Sequence, residues 1–423
     1  MRFTLLLLAL FVLTSGTRHA PEFTAFAAGA GQTPAPSTGW HLDAAERPLA
    51  AGSPVQETTW SIGRPPGGAF DRVGLHRYRT PGPALATLLY LPGTNMNGVA
   101  AVKDEAHNLW VFLAARGIEV FTIDYRTHAV PVDATPAQLA ALRTWGIETF
   151  VGDISAAAEQ VRRETGRERL FVAGFSRGVT LAYAYACTEP GRVAGLVHLD
   201  GAFKAHAPTS KFDYAAALAK IEAGQAWASD VAAGIGWDKR HQLMATVSAN
   251  PAAPATDAKF TSLGDQLASL LQFAWRPGGL ANPLGGISKP QTLATLLDGY
   301  DRYYPAVQDA DGRSIADRDD DPRTAVDDGW GKLKMPILHF ASTGMGGDFL
   351  LNGIYTADKS GSSDVTFNVL ERYGHLDLVV GEQAAHDVFQ PIADWIKGHL
   401  TVAKPSAQLR NEKFFAQAAG SRS

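Results

Sequence analysis

The sequence predicts an open α/β fold, a mostly parallel sheet with helices on both faces, carrying a largely helical insertion. Three observations predict it. Six short runs are apolar throughout rather than alternating: ATLLYL (86–91), IEVFTI (118–123), LFVA (170–173), AGLVHL (194–199), PILHF (336–340) and VTFNVL (365–370). Runs apolar on both faces suit strands covered by helices on each side. Helical patterns near 101–116, 152–165, 176–188 and 382–399 separate or follow these runs, the alternation of a parallel sheet. That alternation breaks from 202 to 334, which places a separate unit between two sheet strands.

The elements follow in chain order. Arg2 precedes the apolar run LLLLALFVL (5–13), and small residues follow. This is the layout of a secretory signal, too short for a stable membrane span, and it assigns residues 1–30 to a signal region. The expected location is periplasmic or secreted, with no membrane span after cleavage. Residues 31–55 are rich in Gly, Pro, Ala and Ser and read as a linker or arm. Segments 58–62 and 73–78 suit an antiparallel edge. The core is then expected over 56–201 and 335–402, a cap or lid over 202–334, and a tail over 403–423. The cap has helical patterns near 211–232 and 256–275. Its many aromatic side chains, Trp227, Trp237, Phe273, Trp275, Tyr300, Tyr303, Tyr304 and Trp330, supply its own core and the walls of a substrate pocket.

Composition narrows the chemistry. The chain has 423 residues, 46% hydrophobic and 19% charged, with a formal net charge of −4. A large core is possible, and no basic stripe points to nucleic acid. One cysteine, Cys187, excludes an internal disulfide and a multi-cysteine metal site. Asp309-Ala310-Asp311-Gly312 and the acidic run 317–321 lack the spacing of a calcium loop and read as solvated acidic loops. No zinc, Walker or dinucleotide motif occurs, so no cofactor is expected.

One motif carries specific chemistry. Gly174-Phe175-Ser176-Arg177-Gly178 joins a buried strand to a helix of small apolar residues. A sharp turn there lifts the Ser176 hydroxyl above the sheet edge, at a helix N-terminus whose amides favour negative charge. Serine needs a base. His375, in Tyr373-Gly374-His375-Leu376-Asp377, follows the last strand and reaches the same edge. His198 and His339 lie within strands and belong to the core, and His128, after the 118–123 strand, is a candidate substrate contact. The imidazole needs an acceptor. Asp348, after the 336–340 strand through a Gly-rich loop, is the first choice, and Asp200, ending the previous strand, is the rival. Asp377 is too close in sequence to His375 and anchors the last helix instead. The oxyanion requires two N–H donors. Arg177 supplies one, and the loop Pro92-Gly93-Thr94-Asn95 the other, with Thr94 preferred to Asn95.

These residues together resemble the α/β-hydrolase superfamily, in its serine esterase/lipase-like form with an inserted cap. The similarity covers roughly 57–201 and 335–400, with Ser176, Asp348 and His375 in the family's order and Pro92-Gly93 where many members carry His-Gly. The resemblance implies a serine carboxylic-ester hydrolase working through an acyl-enzyme on a small-molecule or polymer ester. A serine peptidase or amidase on the same scaffold and a non-catalytic binding protein are the alternatives. An aspartate elbow, as in dehalogenases, is excluded by Ser176.

Overall fold

The computed structural model describes residues 39–207, 212–267, 287–317 and 321–400. The expected signal region and tail lie outside them, as do residues 268–275 of the pattern at 256–275. The six apolar runs all become strands. They are β4 (Ala86–Leu91), β5 (Ile118–Asp124), β6 (Leu170–Phe175), β7 (Val193–Leu199), β10 (Ile337–Ser342) and β11 (Val365–Leu370). They pair in parallel in the order β5-β4-β6-β7-β10-β11. An antiparallel flank extends the sheet to nine strands: β1 (His41–Pro48), β2 (Gln56–Gly63) and β3 (Arg72–Arg79).

Each buried strand feeds two cores, because successive side chains point to opposite faces. Leu88 and Tyr90 join α1 (Leu109–Ala115) and the last helix on one face. Leu89 and Leu91 join α2 (Ile147–Thr165) and α3 (Arg177–Thr188) on the other. This two-sided coverage is why β4 to β7 lack polar alternation.

Between β7 and β10 no strand enters the main sheet among the described residues. The chain there forms α4 (Tyr214–Glu222), β8 (Trp227–Asp230), α5 (Trp237–Ala249), α6 (Pro290–Asp298), β9 (Tyr303–Pro305) and α7 (Ala306–Ala316), with β8 and β9 making a separate two-stranded sheet. After β10 come α8 (Gly347–Asp358) and, beyond β11, a π turn (Ala385–Phe389) leading into α9 (Gln390–Gly398). Among the described residues no helix is long and apolar enough to cross a membrane.

Three expectations need correction. Residues 41–48, read as part of a linker, form β1. That strand is exposed along nearly its whole length, so it has no apolar face to announce it. Main-chain pairing with β2 and the Arg79–Glu46 and Arg47–Glu57 ion pairs hold it. The helix expected at 101–116 starts only at Leu109, where the Asn108 side chain accepts the Trp110 amide at 2.8 Å as its N-cap. The acidic residues 309 and 311 sit on α7 rather than in a solvated loop, each with a specific partner.

Candidate active site

The carboxyl ends of β4, β6, β7, β10 and β11 open on one sheet edge, and Ser176 stands at the middle of it. Its backbone is left-handed in φ (φ 55°, ψ −120°), a conformation a non-glycine residue holds only under strain. The flanking glycines make the turn possible. A Cβ on Gly174 would lie 2.3 Å from the Gly178 carbonyl oxygen, and one on Gly178 would lie 2.0 Å from the Leu91 oxygen. Ser176 precedes α3 without forming a side-chain cap, so its hydroxyl is not committed to the helix.

The structure brings His375 and Asp200 together and leaves Asp348 out. His375 Nδ1 lies 2.8 Å from Asp200 Oδ2, and the imidazole stacks on Phe175, the neighbour of Ser176, at 4.7 Å between ring centroids. Asp200 is 1% exposed. It also accepts the Ser342 amide at Oδ1 (2.8 Å) and the Ser342 hydroxyl at Oδ2 (2.7 Å). The preference for Asp348 is therefore corrected in favour of its rival. The reason is helical phase: the Gly-rich loop winds into α8, and consecutive helix residues project about 100° apart. Phe349 turns toward the His375 ring, edge-on at 5.9 Å, whereas Asp348 is exposed in the first turn. A carboxylate there is favourable for the helix dipole.

The loop after β4 reaches Ser176 directly. A Cβ on Gly93 would lie 3.1 Å from both Ser176 Cβ and the Phe175 carbonyl oxygen, so only glycine passes without displacement. The amides of Thr94 and Arg177 have no acceptor among the described residues, the first in a turn, the second at the start of α3. Asn95, also left-handed (φ 61°), does not point its side-chain amide at Ser176. Its Nδ2 donates to the main-chain oxygens of Asp301 (3.0 Å) and Arg302 (3.2 Å).

Several polar contacts here were invisible in the motif. The Arg177 guanidinium donates to Asp309 Oδ1 at 2.7 Å and packs on Gly312, which ties the residue after Ser176 to α7. Asp311 accepts the Ile147 amide and the Tyr214 hydroxyl. His128, a candidate substrate contact, donates from Nδ1 to Asp301 Oδ1 at 2.8 Å, with its side chain 42% exposed. His198 and His339 are fully buried, and neither ring nitrogen has a partner among the described residues. Burial therefore drives both toward the neutral form, His339 to about 4. Asp377 accepts the Gly374 amide at 2.6 Å and the Ser288 hydroxyl, which fixes the turn that presents His375.

A small apolar cavity of about 40 Å³, lined by Tyr90, Met96, Leu296 and Val379 among others, adjoins the loop after β4. A larger one of about 270 Å³ lies between the start of α2 and α7, lined by Asp311, Tyr214, Ile147 and Arg323 among others, and none of Ser176, Asp200, His375 and Thr94 lines it. Among the described residues no cluster of His, Cys, Asp and Glu could hold a metal.

Comparison with known proteins agrees on the fold. Residues 96–259 match the family model described as serine aminopeptidase, S33. No curated protein matches. A solved structure of a "putative lipase" from Sulfolobus solfataricus is similar over 86% of this chain and 99% of its own, at 24% identity and a TM-score of 0.71. A carboxyl esterase from Bacillus coagulans is similar over 81% and 99%, at 13% identity and a TM-score of 0.50.

Proposed function

The chain has the fold of the α/β hydrolases, and from that premise we propose that it is a member of that superfamily and a serine hydrolase of carboxylic esters. The observation that carries the reading is the Asp200–His375 pair at 2.8 Å, beside a serine held in a strained turn. In this reading Asp200 fixes the proton on Nδ1, so Nε2 is the free base. His375 Nε2 takes the Ser176 proton as Oγ attacks the ester carbonyl. The Thr94 and Arg177 amides stabilise the oxyanion. Collapse of the tetrahedral adduct breaks the acyl C–O bond, and His375 returns the proton to the leaving alcohol. Water then attacks the acyl-enzyme with the same base.

The insertion at 202–334 acts as a cap that selects the substrate. The apolar run at 5–13 acts as an export signal and makes the protein periplasmic or secreted. An amidase acting on a substrate amine has less support, because the acidic groups that could receive the amine are engaged. Asp309 pairs with Arg177, Asp311 with Tyr214, and Asp301 with His128 and Asn97.

The deciding test is Ser176→Ala. The variant is expected to fold as wild type, to escape labelling by a fluorophosphonate, and to hydrolyse p-nitrophenyl esters at least 10³-fold more slowly. Wild-type turnover in the variant rejects the assignment. An N-terminal sequence of the exported protein that still begins at Met1 rejects the signal.

A further inference from the structure

The loop that carries the Thr94 amide is held from two sides. From the sheet side, Asp124 Oδ1 accepts the Gly98 amide at 2.7 Å, and the Tyr78 and Thr122 hydroxyls each donate to the Gly98 oxygen at 2.8 Å. From the insertion side, residues 299–302 grip it. The Asp301 amide donates to the Asn95 oxygen at 2.7 Å, and Asn95 Nδ2 answers to the Asp301 and Arg302 oxygens. Asn97 Nδ2 donates to the Gly299 oxygen (2.9 Å) and to Asp301 Oδ1 (2.8 Å), while Asn97 Oδ1 accepts the Val99 amide (3.0 Å). Asp301 is itself 8% exposed and oriented by His128 at Oδ1 and, at 3.4 Å, by the Thr127 hydroxyl at Oδ2. These residues lie more than 200 positions apart in sequence from the loop they hold.

We propose that Asp301 is a positioning residue for the oxyanion donor, holding the Thr94 loop through Asn97 and the paired main chains of Asn95 and Asp301. The inference rests on the serine-hydrolase reading above. It gives the insertion a second task beside substrate selection: it completes the rigid frame of the reaction centre. The physical reason is that Asn95 sits in a left-handed conformation directly after Thr94. Such a turn relaxes unless neighbours over-determine it, and relaxation would move the Thr94 amide away from the developing charge. An error of about 1 Å in such a donor costs about 10²-fold in rate.

The experiment compares full-length wild type, Asp301→Ala, Asp301→Asn and Asn97→Ala. Active sites are counted by fluorophosphonate titration, and kcat and KM are measured per titrated site on a p-nitrophenyl ester. Inhibition by a trifluoromethyl ketone, which mimics the tetrahedral adduct, is measured alongside. Asp301→Ala and Asn97→Ala are each expected to lower kcat by about 10²-fold, with KM changed by less than about 3-fold. Both are expected to weaken the ketone by the same factor as kcat/KM. Asp301→Asn keeps an oxygen for Asn97 and His128 and is expected to restore most of the rate. If Asp301→Ala is insoluble, Asn97→Ala carries the test alone. Wild-type kcat and ketone affinity per titrated site in either alanine variant, even with a lowered Tm, overturn the proposal. Wild-type protein that neither labels nor hydrolyses the ester overturns the parent reading and this one with it.

Discussion

Asp200, itself buried, accepts three hydrogen bonds, from the Ser342 amide, the Ser342 hydroxyl and His375. Charge-assisted bonds of this kind are strong, and removal of the charge leaves the imidazole with the wrong tautomer or the wrong orientation. Asp200→Asn is expected to lower kcat by about 10³- to 10⁴-fold with the fold intact, measured per titrated serine. Asp348→Asn is the matched control, expected to stay within about 3-fold of wild type because it alters only an exposed first-turn carboxylate. Reversal of the two outcomes would return the acid role to Asp348.

At the scale of elements, the strand–turn–helix joint leaves no room at its two glycines. An alanine Cβ at position 178 would overlap the Leu91 oxygen at 2.0 Å, and one at 174 would overlap the Gly178 oxygen at 2.3 Å. Either substitution must push β4 or α3 apart, and each is expected to destabilise by about 3 kcal/mol, read as a lower denaturant midpoint. Gly152, in the middle of α2, provides the contrast, since its added Cβ would meet nothing within 4 Å. Gly152→Ala is expected to stabilise by about 0.5–1 kcal/mol through helix propensity. A destabilised Gly152→Ala together with a neutral Gly178→Ala would refute this account of the joint. The joint was legible in sequence because strand, turn and helix are neighbours along the chain. β1 was not, since an edge strand with both faces in water has no period-2 apolar pattern to detect.

Across the whole molecule, buried histidines of two kinds set how stability varies with pH. His76 lies between Glu57 and Asp124, at 2.9 Å from each. Burial alone would lower its pKa, but the Asp124 and Glu57 carboxylates raise it to about 9. A raised folded value means that its stabilisation is complete below about 6.5, the unfolded value, and is lost as pH rises through 9. His339 is the opposite case: buried neutral, it contributes above about 6.5 and loses that contribution as pH falls through 4. Tm is therefore expected to peak near pH 6.5 and to decline on both sides, and His76→Gln is expected to flatten the alkaline limb. An alkaline limb unchanged in that variant would show that His76 does not control it.

The order of strands, the joint at Ser176 and the histidine after the last strand all follow from patterns a few residues long. The sequence by itself therefore determined the fold class, the elbow serine and His375. The partners of those two residues depend on distances between segments that no local pattern encodes. Only the tertiary structure decided that Asp200 meets His375, because β7 and β10 run side by side and Ser342 closes on the Asp200 carboxylate from 142 residues away. The same folding winds residue 348 into a helix that turns it to solvent, and it lays residues 299–302 of the insertion against the loop beside the serine.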